Sequence, residues 1–122
     1  MLLTSRETGR WVIPKGWPMA GKLSHEVAAQ EAFEEAGMIG SIATEPLGTF
    51  SYLKKLKNGV CVDCLVRLYA LEVRAQATTF KECGQRRIEW VPFAEAANRV
   101  QEPGLRSLIE TFPIRMAARL AS

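Results

Sequence analysis

Three carboxylates come close together in the stretch EAFEEAG at positions 31–37, on Glu31, Glu34 and Glu35. Residues three and four positions apart share one face of a helix, with Cβ atoms roughly 5–6 Å from each other. Like charges at that spacing repel, so the arrangement stabilises a fold only if something positive lies between them. Carboxylate oxygens are preferred ligands of Mg²⁺ and Mn²⁺. A solvated acidic helix face is the alternative interpretation, and it is the commoner one for glutamates taken alone.

The segment around these glutamates is predicted to be a helix that follows a glycine-rich loop. Ser24 is the predicted N-cap, and Glu26 lies early in the helix, where the helix dipole favours an acid. Gly37 stands where helices commonly end in the left-handed conformation. The loop before the helix, residues 15–21, can bring backbone groups up to a ligand.

The rest of the chain alternates between strand-like and helix-like segments. Asn58-Gly59 is a strong signal for a tight hairpin between two long apolar runs. Pro113 predicts a break or kink in the last helical segment. The predicted strands are 11–13, 47–56, 60–73 and 88–91, a looser stretch covers 74–87, and the predicted helices are 24–36, 92–97, 104–112 and 114–120. A mixed sheet with helices on both sides is therefore expected, in one α+β domain over residues 1–122.

Composition limits the classes of protein to which the chain can belong. The formal net charge is +3 and the isoelectric point is near 8.9; this suits an anionic substrate but is too weak to indicate nucleic-acid binding. No apolar run approaches the roughly 18 residues of a membrane span, and no signal peptide is recognisable at the N-terminus. The odd number of cysteines, three, favours a reducing compartment, so a cytoplasmic protein is expected. Cys61 and Cys64 have CxxC spacing, but alternation along a strand points them to opposite faces.

Residues 16–38 resemble the Nudix box. That pattern is Gly, five residues, Glu, seven residues, Arg-Glu, an apolar residue, any residue, Glu-Glu, any residue, Gly and an apolar residue. Gly16, Gly37 and Met38 stand at its positions together with the three glutamates, and Ala32 fills an apolar position. Residues 10–18, RWVIPKGWP, are similar to the lead-in of diphosphoinositol polyphosphate and diadenosine polyphosphate phosphohydrolases, and residues 89–97 resemble the late strand and helix of the superfamily. The resemblance covers nearly the whole chain and implies a Nudix-type α/β/α sandwich.

The activity that this resemblance implies is hydrolysis of a phosphoric anhydride. In the family, water attacks phosphorus in a nucleoside diphosphate, or an analogous pyrophosphate such as a diphosphoinositol, that is linked to another moiety. Carried over by position, Glu31, Glu34 and Glu35 would be catalytic and would ligate Mg²⁺ or Mn²⁺, with the backbone carbonyl of Gly16 as a further ligand. Electrostatics agrees with this implied metal site, because phosphates can approach clustered carboxylates only when cations neutralise the repulsion. The general base is left open among these glutamates and two outside the box, Glu82 and Glu89.

The chain departs from the family pattern at three places. Lys22 stands where the pattern has Glu, and Gln30 stands where it has Arg. In the family that arginine orients a catalytic carboxylate, and glutamine lacks both its charge and its fork of donors; one hypothesis is that Lys22 supplies the missing charge. Only nine residues precede Arg10, so the N-terminal strand is expected to be shortened, and an edge left exposed would favour a homodimer.

Basic residues are grouped around the expected cleft. Arg6, Arg10 and Lys15 flank the metal-binding loop and are predicted to contact phosphate. Lys54 is a further candidate, although lysines at the tip of a hairpin equally serve to keep a strand soluble. The tryptophans Trp17 and Trp90 are predicted to pack against the domain, the alternative for Trp17 being a stacking platform for a base.

Three functional hypotheses follow. The first is a pyrophosphohydrolase for a small anionic substrate of the dinucleoside polyphosphate or diphosphoinositol kind, and the second keeps the chemistry but acts on 5′-triphosphorylated RNA or nucleotide sugars. The third is a domain that binds a phosphorylated ligand without turnover, which Lys22, Gln30 and the short N-terminus favour. The enzyme is preferred, because a domain that only binds has little reason to keep three mutually repelling carboxylates.

Overall fold

The protein is an α+β domain, as the sequence predicts. A computed structural model describes residues 1–121, with side chains described for residues 1–118. The helices are α1 (Ser24–Ala36), α2 (Phe93–Arg99) and α3 (Pro103–Ala121), and the strands are β1 (Leu2–Thr4), β2 (Trp11–Val12), β3 (Met38–Ile42), β4 (Gly48–Lys55), β5 (Cys61–Leu68), β6 (Leu71–Gln76) and β7 (Ile88–Glu89). Among the described residues, no helix combines the length and the apolar character that crossing a membrane requires.

The described strands form three small antiparallel sheets, where the sequence predicted one mixed sheet. Their orders are β2-β1-β7, β3-β6 and β4-β5. The hairpin between β4 and β5 is the predicted one, with Gly59 at φ 85° and the side chain of Asn58 accepting a hydrogen bond of 3.0 Å from the Val60 amide. Within β5, Cys61 is exposed and Cys64 is buried, as strand alternation predicts, and both are free thiols.

The predicted single strand over residues 60–73 is in fact two strands that change partner near Tyr69 and Ala70. Strand β5 pairs with β4, whereas β6 pairs with β3. The more buried residues change phase at the break, from Val62, Cys64, Val66 and Leu68 in β5 to Leu71 and Val73 in β6. The apolar run nevertheless continues through Tyr69-Ala70 without a glycine or proline, so no turn residue marks the change of partner. Strand β3 was not predicted. It follows Gly37 directly, so no separate turn marks where it begins, and it is mostly exposed, so it shows no clear alternation of buried and exposed residues.

Strand β1 is the middle strand of its sheet. Leu3 is in register with Val12 of β2 on one side and with Ile88 of β7 on the other. Leu2 and Leu3 are almost completely buried. The short N-terminal strand therefore has a partner on both sides, and it supplies no exposed edge for pairing with a second chain.

Two groups of apolar side chains hold the elements together. One joins β1 and the β4–β5 hairpin to α2 and α3 through Leu2, Phe50, Val100 and Leu105, and the other joins α1 to β3. Pro113 was predicted to break or kink the last helical segment; helix α3 continues through it, so there is no break. Packing of its first half on the core, and a hydrogen bond of 2.9 Å from Arg115 to the Leu47 carbonyl, offset the backbone hydrogen bond that a proline removes.

Helix α1 carries the glutamates, and its ends are well defined. It begins at Ser24, and its N-cap is Leu23 rather than the predicted Ser24. The Glu26 carboxylate accepts a hydrogen bond of 2.7 Å from the Leu23 amide. It ends at Gly37, whose φ of 71° is left-handed and whose amide donates to the Phe33 carbonyl at 2.8 Å. A Cβ on Gly37 would lie 2.6 Å from the Phe80 ring.

We expect Gly37→Ala to destabilise the protein by more than Gly59→Ala does. Both glycines have positive φ, which costs an alanine about 1–2 kcal/mol. A Cβ on Gly59 meets nothing within 4 Å, whereas one on Gly37 collides with the ring of Phe80. Urea unfolding of the two variants measures the difference, and equal losses of unfolding free energy would contradict the collision.

Candidate functional site

Glu31 and Glu35 point from α1 into a large cleft of about 1090 Å³. Glu35 is buried, with 4% of its surface exposed, and its carboxyl is hydrogen-bonded to that of Glu31. Two carboxyl groups can share a hydrogen bond only when one holds a proton. Burial and the bond with Glu31 accordingly raise the pKa of Glu35 to about 8. A proton at the point where the two carboxyl groups converge is therefore held to higher pH than on an ordinary glutamate.

Gly16 lies directly against the Glu31 carboxylate. A Cβ at position 16 would come within 2.5 Å of the Glu31 carboxyl carbon and 2.6 Å of its Oε1. The loop backbone can approach the carboxylate this closely because glycine has no side chain. The backbone of Gly16 and the carboxylate of Glu31 thus approach each other from two separate segments. Backbone carbonyls and carboxylates are the kinds of ligand that hard divalent cations prefer.

Glu34 does not point into the cleft. Successive residues are about 100° apart around a helix, so Glu34 and Glu35 flank Glu31 on opposite sides. Its carboxylate accepts a long hydrogen bond of 3.4 Å from Gln30 and lies 3.7 Å from the Lys81 ammonium group. Among the residues that the structure describes, no three histidine, cysteine, aspartate or glutamate side chains are arranged so as to hold a metal ion. Of the three glutamates predicted on one face, Glu31 and Glu35 therefore converge at the cleft, and Glu34 lies beside them and contacts Gln30 and Lys81.

A third carboxylate approaches the pair from the loop after β6. Glu82 lines the cleft, and the guanidinium of Arg86 lies 2.9 Å from Glu82 and 3.4 Å from Glu35. The contacts of Arg86 with Glu35 and with Thr4 join the loop to α1 and to β1, and no local pattern in the sequence indicates them.

The predicted phosphate contacts separate into two groups. Arg6, Lys15 and Lys54 line the cleft. Arg10 does not; it is paired with the buried carboxylate of Glu102, which occupies its charge. A buried carboxylate requires such a partner, and the sequence shows no sign that Glu102 would be buried.

Two of the predicted phosphate contacts at the cleft, Lys15 and Lys54, lie over aromatic rings. The Lys15 ammonium is 5.3 Å from the centre of the Tyr52 ring, and the Lys54 ammonium is 5.7 Å from that of Trp17. Burial lowers the pKa of Lys15, although nearby carboxylates oppose the shift. Trp17 is 58% exposed, so the prediction that it packs against the domain is wrong. The same holds for Trp90, at 59%.

The remaining candidates from the sequence lie apart from the carboxylate pair. Lys22 is at the cleft, but within the described part of the chain it forms no ion pair, so the structure does not support the hypothesis that it replaces the missing arginine. Glu89 does not line the cleft and accepts a hydrogen bond of 2.7 Å from Arg99. Of the two possible bases outside the box, Glu82 is therefore the one beside Glu35.

Comparison with known proteins identifies the family. The sequence model of the NUDIX domain matches residues 1–112. The chain belongs to the Nudix family. Nudix hydrolase 13, mitochondrial, of Arabidopsis thaliana is 28% identical over 118 residues, which are 92% of this chain and 58% of the relative. Nudix hydrolase 16, mitochondrial, of the same organism is 30% identical over 117 residues, 92% of this chain and 64% of the relative. This Nudix domain thus spans less than two thirds of the length of either relative.

We expect Glu35→Gln to remove cation binding without destabilising the metal-free Nudix domain. A glutamine amide can donate to Glu31 and needs no proton, so it relieves the crowding of the two carboxyl groups. Mg²⁺ or Mn²⁺ should raise the melting temperature of the wild type and leave that of the variant unchanged. Glu110→Gln, on an exposed part of α3, is the matched control and should keep the full shift. A cation-induced shift that persists in Glu35→Gln would contradict a site at this pair.

Proposed function

We propose that the protein is a divalent-metal-dependent pyrophosphohydrolase. Its substrate would be a nucleoside diphosphate or a diphosphoinositol linked to another moiety, and the reaction would be attack of water at phosphorus. Nudix hydrolases generally act on small phosphate anhydrides, and this chain matches their domain over residues 1–112. The observation that carries the proposal is the buried pair Glu31–Glu35 against Gly16, at a cleft that lysines also line.

The residues at this pair suit Mg²⁺ or Mn²⁺. Glu31, Glu35 and the carbonyl of Gly16 would hold the cation, and Glu34 would join them by giving up its two long contacts with Gln30 and Lys81. Once bound, the cation would neutralise phosphate charge and stabilise the transition state.

The other groups of the cleft would bind substrate and accept a proton. Lys15, Lys54 and Arg6 would contact the phosphates, and the apolar surroundings of Lys15 strengthen its attraction for an anion. Glu82 would accept the proton of the attacking water, because it lines the cleft next to Glu35 and lies within the same ion-pair network.

A nucleotide is favoured over a diphosphoinositol as the substrate by the exposure of Trp17. An exposed tryptophan ring at the cleft, with Lys54 on one face, is a platform on which a base can stack next to a phosphate contact. An inositol ring offers no aromatic face. Specificity for triphosphorylated RNA or nucleotide sugars is the alternative within the same chemistry.

A non-catalytic domain that binds phosphorylated ligands is the second candidate function. The position of Glu34, outside the cleft and tied to Gln30 and Lys81, favours it. The burial of Glu35 favours the enzyme, because burying a carboxyl group beside another destabilises the metal-free fold and a binding surface for phosphate does not require it.

Location and assembly remain predictions. Exposed free thiols on Cys61 and Cys83 suit a reducing compartment such as the cytoplasm. Homodimer formation would have to use an edge other than β1, which has partners on both sides.

The deciding experiment is product release from diadenosine polyphosphates, a diphosphoinositol phosphate, a nucleotide sugar and a triphosphorylated RNA. It is run with Mg²⁺, with Mn²⁺ and with chelator. We expect metal-dependent turnover that falls by at least about 100-fold in Glu35→Gln and in Glu34→Gln, and that is unchanged in Glu110→Gln. Metal binding without turnover of any substrate would instead establish the binding domain.

Replacement of Trp17 tests the substrate class separately. Loss of a stacking partner costs about 1–3 kcal/mol per base, so Trp17→Ala should raise KM for a dinucleoside polyphosphate by roughly tenfold or more. Hydrolysis of a diphosphoinositol phosphate should be unaffected, which makes it the internal control. An equal change for both substrates would contradict base stacking.

A further inference from the structure

Arg86 is the cation in closest contact with the carboxylate pair. Its side chain is 11% exposed, its Nη2 lies 3.4 Å from Glu35 and 2.9 Å from Glu82, and its Nε donates to Glu82 at 2.9 Å. Its Nη1 donates to the backbone carbonyl of Thr4 at 3.1 Å. One guanidinium thus contacts the helix that carries Glu35, the loop that carries Glu82 and the central strand of the N-terminal sheet.

The loop that carries Arg86 is itself anchored on both sides. The Glu82 amide donates to the Glu34 carbonyl of α1 at 2.9 Å. At the other end, the amide of Arg87 donates to the Thr4 hydroxyl at 2.9 Å, and the Thr4 amide donates to the Arg87 carbonyl at 3.0 Å. Because backbone contacts hold both ends, the guanidinium is presented in a defined position.

We propose that Arg86 is a positioning residue that holds Glu82 beside Glu35, so that a carboxylate from outside α1 joins the cation site. The two carboxylates repel each other, and a planar fork of donors contacts both at once. Gln30 cannot do this, because it carries no charge and reaches Glu34. The inference rests on the proposed cation site at Glu31 and Glu35.

A simpler role for Arg86 would be to neutralise nearby negative charge. The two roles predict changes in cation affinity in opposite directions when Arg86 is removed. A cationic neighbour that does nothing else weakens binding of a divalent cation, so its removal should tighten binding. Removal of a residue that holds carboxylates in place should weaken binding, and partners of metal ligands are typically worth about 10–100-fold in metal affinity. The Arg86→Gln variant distinguishes the two roles by the direction of the change in cation affinity as well as by its size.

The test is Mn²⁺ binding to the whole chain, measured by electron paramagnetic resonance as loss of the free Mn²⁺ signal. We expect Arg86→Gln to bind Mn²⁺ about tenfold or more weakly. Arg87→Gln is the matched control, since it removes the same charge from the next residue, which lies over the Trp11 ring and contacts no carboxylate in the described structure. It should bind Mn²⁺ as the wild type does.

The partner of Arg86 is tested by a double-mutant cycle with Glu82→Gln. If Arg86 acts by holding Glu82, the double variant should bind Mn²⁺ no more weakly than Glu82→Gln alone. Fully additive losses would overturn the proposal, as would unchanged or tighter binding by Arg86→Gln. If Arg86→Gln does not fold, Arg86→Lys takes its place, because lysine keeps the charge and loses the fork; unchanged binding would then overturn the proposal.

Turnover separates this inference from the proposed function. Mn²⁺ binding that depends on Arg86, without hydrolysis of any substrate, would overturn the proposed enzyme and support the positioning role. Turnover that is present while Arg86→Gln binds Mn²⁺ normally would overturn the positioning role alone. A wild-type chain that binds no Mn²⁺ would overturn both.

Discussion

A carboxyl group buried beside another is the constraint around which this domain is arranged. Glu35 is among the least exposed charged residues that the structure describes, and its carboxyl group meets that of Glu31. Such a pair destabilises the fold unless a proton, a cation or a guanidinium lies between the groups. The raised pKa of Glu35 favours a shared proton, and the guanidinium of Arg86 lies 3.4 Å from Glu35.

The elements around the pair fix its surroundings from three directions. Helix α1 carries the glutamates and packs on β3 through Ala32, Ala36 and Met38. The loop with Gly16 lies against Glu31 from a second side. Strand β1 supplies Thr4, which holds the loop that carries Arg86. Because β1 is the buried middle strand of its sheet, the short N-terminal strand has a direct part in forming the site.

Whether a basic residue is available at the cleft depends on whether a buried carboxylate already pairs with it. Arg10 would be available for phosphate if Glu102 were exposed, but the buried Glu102 requires a cation, and Arg10 is the one that it contacts. Lys15, Lys54 and Arg6 keep positions along the cleft, two of them over aromatic rings. The basic residues thus divide into Arg10, which is paired with a buried carboxylate, and Arg6, Lys15 and Lys54, which line the cleft.

Local patterns in the sequence determined much of the site. The spacing of Glu31 and Glu35, the left-handed end of α1 at Gly37 and the hairpin at Asn58-Gly59 depend on residues close in the chain, so they could be predicted. The Nudix pattern over residues 16–38 correctly indicated the family. Tertiary structure alone decided that Glu34 turns to Gln30 and Lys81, that Arg86 bridges Glu35 and Glu82, that Trp17 is exposed, and that residues 60–73 divide between two sheets. Each of these depends on burial or on at least one partner distant in sequence, such as Lys81 for Glu34 and Glu35 for Arg86, and a local pattern carries no information about which distant groups will meet.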